Sequence, residues 1–137
     1  MGVTGDNGNG RMARSGSGGS SPLREKSFRF AVRIVNLAKL MCERDREYVL
    51  SKQIVRSGTA IGALVREARQ AESREDFVHK LAIALKEAEE TEYWLEIFLA
   101  TEYLKPHEFD SLHADLKELL RLLTAAIKTA RSRLKKD

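Results

Sequence analysis

Leu112-His113-Ala114-Asp115-Leu116-Lys117-Glu118-Leu119-Leu120-Arg121-Leu122-Leu123-Thr124-Ala125-Ala126-Ile127-Lys128-Thr129-Ala130 is the stretch on which the fold class turns. Leu112, Leu116, Leu119, Leu123, Ala126 and Ala130 recur at alternating intervals of four and three, with Leu120, Ile127 and Leu134 beside them. That spacing places them on one side of an α-helix, the seam by which a bundle helix meets its neighbours. Pro106 suits the start of this helix and Leu134 lies near its end.

Three more segments upstream show the same period. Between Pro22 and Arg44, Phe30, Ile34, Leu37 and Met41 form one stripe, and Phe28, Ala31, Val35, Ala38 and Cys42 form its neighbour. Ser51 to Ala71 carries Ile54, Gly58, Ile61, Val65 and Ala68. Gly58 and Gly62 lie inside this helix, where each costs about 1 kcal/mol against Ala. A close helix crossing would offset that cost, because a missing side chain lets two backbones approach. Ser73, followed three residues later by Asp76, resembles a capping box and opens a helix running to about Tyr103. Its stripe is Phe77, Leu81, Ala84, Ala88, Leu95 and Phe98. Val78, Leu85, Trp94, Ile97 and Leu99 widen it, so this helix is expected at the bundle centre or against another subunit. The connections are short, and no alternating strand pattern is visible. The fold class is therefore all-α, an antiparallel up-down four-helix bundle over residues 22–137.

Residues 1–21 stand apart. They hold seven of the chain's nine glycines and almost no large apolar side chain, the composition of a disordered tail.

The 137 residues carry a formal charge of +4, which gives a mild preference for polyanions without proving nucleic-acid binding. Cys42 is the single cysteine, so no internal disulfide is possible. No apolar run approaches the roughly 20 residues of a membrane span. The N-terminus lacks a signal-type apolar run, and Asp6 stands where myristoylation needs Ser or Thr. These absences place the protein in the cytoplasm with no membrane partner.

Chemistry is concentrated on the last helix. Lys117, Arg121, Thr124, Lys128, Arg131 and Lys135 repeat the four-three spacing on the side away from the leucines, and five of these six are basic. Such a ridge can track a phosphate backbone and release its counterions; the competing reading is a solvated face whose cations suit the helix C-terminus. Arg29 and Arg33 are candidate additions. The third helix is the reverse, with Glu87, Glu89, Glu90, Glu92 and Glu96 around Trp94. These acids are either solvated or face cations such as Arg56, Arg66 or those of the fourth helix, and Glu92 is expected to be half-buried.

A di-iron bundle needs two Glu-x-x-His pairs. Asp76/His79 and Asp110/His113 have the spacing but carry Asp, near helix starts where Asp is common for dipole reasons. No metal, cofactor or catalytic residue is assigned. Cys42 reads as a buried small residue on an apolar stripe. A helix-turn-helix over 44–70 would put two glycines in its recognition helix, so the bundle accounts for that segment better.

Two stretches also resemble a known family. They are Arg56-Ser57-Gly58-Thr59-Ala60-Ile61-Gly62-Ala63-Leu64-Val65-Arg66-Glu67-Ala68, and Glu72 through Ala88 continuing to Glu92-Tyr93-Trp94-Leu95; Phe28 through Ile34 supports them. The chain resembles the bacterial four-helix bundle proteins encoded in intervening sequences of large-subunit ribosomal RNA genes. That family is related to the accessory proteins of diversity-generating retroelements. The resemblance covers about residues 25–125. It implies a ring-like homopentamer with a basic face, no enzymatic activity, and RNA, DNA or a reverse transcriptase as partners. It also implies that Gly58 and Gly62 are packing positions and that these two, with Arg56, Arg66, Glu67 and Trp94, are subunit contacts. Lys105-Pro106 departs from the family's small polar cap at that point.

From the sequence the function is therefore a non-enzymatic oligomeric scaffold binding nucleic acid through the basic ridge. The alternative is a protein-interaction module with no nucleic-acid role.

Overall fold

The computed structural model describes residues 21–136. The tail assigned to 1–21 lies outside them, except for Ser21, which belongs to the first helix cap. Four helices follow in order: α1 Pro22–Asp45, α2 Leu50–Arg69, α3 Arg74–Ala100 and α4 Pro106–Lys136.

Each boundary has a local cause. The Ser21 hydroxyl accepts the Arg24 N–H at 3.1 Å, and Pro22 behind it needs no N–H partner. Arg46 ends α1 in the left-handed region, at φ 56°. The cap residue of α2 is Val49, which has no side-chain acceptor. Glu47 supplies one instead: its carboxylate accepts the N–H groups of Val49, Leu50 and Ser51 at 3.1, 3.0 and 2.8 Å. Three orphan donors of the helix start are thereby satisfied by one side chain. Ser73 accepts the Asp76 N–H at 3.0 Å, as the capping box requires. α3 stops at Ala100, three residues before the expected Tyr103. Glu102 turns to φ 69°, and the N–H groups of Tyr103 and Leu104 return to the Phe98 carbonyl. At the departure from the family pattern, Glu108 reaches back to accept the Lys105 N–H at 2.8 Å, and α4 starts at Pro106.

The helices form a square in which each touches two neighbours: α1 with α2 and α4, α3 with α2 and α4. The diagonal pairs make no contact, so α3 is a corner helix rather than a central one. The core is built from the stripes. Phe30, Ile34, Met41, Ile54, Ile61, Ala84, Ala88, Leu95, Phe98, Leu116, Leu119 and Leu123 are all fully buried. Each large apolar member contributes about 1.5–3 kcal/mol on leaving water. At the α1–α2 crossing Gly58 is buried and Gly62 half-buried, and the space beside them belongs to Ile34 and Ser27 of α1.

The second stripe of α1 behaves differently from expectation. Phe28 is 52% exposed and Val35 37% exposed, with Val32 at 44% beside them. The apolar arc of α1 is wider than its two neighbours cover. Cys42, on the same stripe, is half-buried, with its thiol 3.4 Å from the Glu47 carbonyl.

Candidate nucleic-acid interface

α4 presents two flanks beside its buried leucines. Lys117, Arg121, Lys128, Arg131 and Lys135 all fall on one of them and are exposed. None makes an ion pair with another described residue. Eighteen residues of helix at 1.5 Å each make the ridge about 27 Å long. Its C-terminal half borders a groove of about 520 Å³ with an aliphatic floor of Ala82, Leu85 and Ile127 and a rim of Lys128, Arg131 and Lys135. The sequence between Glu118 and Asp137 contains no acid. The cationic field of this half is therefore not cancelled along its own helix.

Arg29 and Arg33 do not extend the ridge. Arg33 lies on the α1–α4 seam, where its guanidinium bonds Asp115 at 2.6 Å and the Ser111 hydroxyl at 2.9 Å. Asp115 and Ser111 occupy the other flank of α4, away from the α3 side where the ridge runs. Arg29, one turn earlier on α1, is exposed on that same remote side.

The acids of α3 are used within the chain. Arg56 of α2 pairs with Glu87 at 3.2 Å and with Glu90, and Glu90 also accepts the Trp94 indole N–H at 3.1 Å. The Arg56 hydrogen bond, and after it the indole, holds the Glu90 carboxyl below the usual carboxylate range. Glu92 is half-buried, as expected, and meets His113 of α4 at 2.7 Å, whose ring stacks on Phe109. Glu67 pairs with Lys80 of α3 at 3.3 Å, and Arg66 sits over the exposed Phe28 ring at 5.4 Å.

The candidate subunit contacts thus divide. Gly58 and Gly62 serve the α1–α2 crossing inside the chain, and Gly58 has no exposed surface to offer a partner. Arg56, Arg66 and Glu67 are exposed on α2, and Trp94 is half-buried against the core. Asp76, His79, Asp110 and His113 do not converge: among the described residues no three His, Cys, Asp or Glu side chains form a group that could hold a metal. No helix among the described residues is long and apolar enough to cross a membrane. One surface was not found from the sequence: Phe28, Val32 and Val35, exposed beside the α1–α2 groove. The excess width of the apolar arc on α1 was the available signal.

The fold and these surfaces have known counterparts. A 1.70 Å crystal structure of a protein of unknown function from the S23 ribosomal protein family of Bacteroides thetaiotaomicron VPI-5482 superposes with a TM-score of 0.77. It is 55% identical over 77% of this chain and 98% of its own. No curated protein matches. The family model of the 23S rRNA-intervening sequence protein matches residues 21–125, and the chain belongs to that family.

Proposed function

We propose that this protein is a non-enzymatic, self-assembling scaffold of the cytoplasm that holds nucleic acid on the α4 ridge. The observation that carries this reading is the row of five exposed, unpaired cations on one flank of a single helix. Phosphate contacts from such a row are electrostatic and carry little base information. One ridge of five charges binds weakly. Assembly into a ring, five-membered as the family resemblance implies, repeats the ridge and turns weak contacts into avidity. A reverse transcriptase is the protein partner that the resemblance adds.

The test is binding to a structured RNA and to duplex DNA across salt concentrations. The comparison variant changes Lys117, Arg121, Lys128, Arg131 and Lys135 to Ser. Each lost phosphate contact removes about 0.9 from the slope of log affinity against log salt. The variant is expected to flatten the slope by roughly 3 to 4. No binding by the wild type at low salt sinks the nucleic-acid role. The second reading, a module for protein partners alone, would then stand on the exposed stripe Phe28, Val32 and Val35.

A further inference from the structure

The apolar stripe on α1 continues into a groove of about 470 Å³ between α1 and α2. Val35, Ala38, Cys42 and Val55 give it an apolar floor, and Lys39 and Lys52 rise beside it with Glu43 and Arg56. Both lysines are exposed and have no ion-pair partner among the described residues. Contiguous exposed apolar surface on a small domain marks a site that something covers.

The complement lies on α3 of the same chain. Glu89, Tyr93 and Glu96 share its outward face at intervals of four and three, and all three are exposed. Tyr93 is 57% exposed and rests its ring edge-on against Trp94, at 5.4 Å between centroids. Neither Glu89 nor Glu96 has an ion pair with a described residue, in contrast to Glu87, Glu90 and Glu92. An aromatic ring between two free carboxylates matches an apolar groove between two free ammonium groups in shape and in charge sign.

We infer that the outward face of α3, centred on Tyr93, docks into the α1–α2 groove of a second copy, with Glu89 and Glu96 answering Lys39 and Lys52. This rests on the proposed self-assembly and specifies its surface. Because the two faces are different parts of one chain, every docked copy leaves one face and one groove free. The contact is head-to-tail, and it generates a closed ring wherever the rotation between copies closes. It also leaves the α4 ridge out of the interface, available in every copy.

The test uses three variants of the full chain. The face variant is Glu89→Lys with Glu96→Lys, the groove variant is Lys39→Glu with Lys52→Glu, and the third combines all four. These positions are exposed, so each variant should keep the helical circular-dichroism spectrum. By light scattering and native mass spectrometry, the face and groove variants are each expected at the mass of one chain, 15.5 kDa. The four-substitution chain is expected to assemble again, which no unspecific loss of stability would allow. A thiol reagent should modify Cys42 at least tenfold faster in the face variant than in the wild-type assembly. If the wild type is itself a single chain at high concentration, self-assembly fails and this inference with it. If the wild type assembles and the face and groove variants still do, or the combined chain is not restored, self-assembly stands and this interface is wrong.

Discussion

A Cβ on Gly58 would stand 2.8 Å from Cγ2 and 3.0 Å from Cγ1 of Ile34, so α2 lies against the branched part of that side chain. Both atoms sit next to the stiff Cβ of a β-branched residue and cannot swing away. Gly58→Ala therefore gains about 1 kcal/mol of helix propensity and loses about 2–3 kcal/mol to overpacking. The expected net is a destabilisation of about 1–2 kcal/mol in urea unfolding. At Gly62 the nearest atoms to an added Cβ are the oxygens of Ser27 at 3.4 Å, an ordinary contact. Gly62→Ala is expected to stabilise by about 0.5–1 kcal/mol. Equal effects at the two positions would contradict this account of the crossing.

Glu47 holds the start of α2 through three backbone N–H groups. Desolvation pushes its carboxyl up, but the bonds from Leu50, Ser51 and Val49 together outweigh it and hold it below 4.5. A carboxylate depressed in the folded state contributes stability above its unfolded value and loses it as pH falls through the folded one. Glu47→Gln should thus cost about 1 kcal/mol at neutral pH, the scale of a lost helix cap. The gap between wild type and variant should close below pH 4.5, which paired denaturation curves across pH would show.

Thr91 and Ser57 are both fully buried, and the Thr91 hydroxyl lies 2.9 Å from that of Ser57 and 2.8 Å from the Glu87 carbonyl. Thr91→Val leaves Ser57 with one partner fewer in a dry seam, at about 1–2 kcal/mol. Ser57→Ala should cost about 1 kcal/mol, and the double variant less than the sum. Strict additivity in this double-mutant cycle would show that the two hydroxyls do not interact.

The Arg56–Glu90–Trp94 chain is exposed at its Arg56 end, and water discounts its ion pairs. Arg56→Met is expected to lower stability by no more than about 1 kcal/mol. Glu90→Gln acts beside the chain's single tryptophan, so its fluorescence emission should shift although unfolding hardly moves. An unchanged emission spectrum would place Glu90 away from the indole.

The periodic positions made the bundle legible before any coordinates. Ile54, Gly58, Ile61, Val65 and Ala68 are all buried, as are Leu112, Leu116, Leu119 and Leu123, because a strict 3.6 period leaves a helix one way to face a core. Phe28 and Val35 were misplaced because periodicity gives the direction of a stripe, not how many neighbours cover it. Arg33 was misassigned for a related reason. Its charge is visible in the sequence, but Asp115 lies 82 positions away, and only the packing of α1 on α4 brings them together. The basic ridge was legible as a spacing. Its denser half, Lys128 to Lys135, lies beyond the residues matched by the family model.

The square of helices has a kinetic consequence. Three of its four seams join helices that follow one another in the chain, and only the α1–α4 seam closes over a long loop. That seam is also the loosest, with a cleft of about 410 Å³ between Arg33, Leu37, Leu40, Leu104, His107 and Leu112. Short-range seams have little loop-closure entropy to overcome, so folding should run within milliseconds as successive hairpins. The last step is the docking of α1 against α4, and unfolding starts by releasing it. A chain caught with that door open can close it on the α4 of another copy, so crowding during synthesis favours swapped dimers at this one edge.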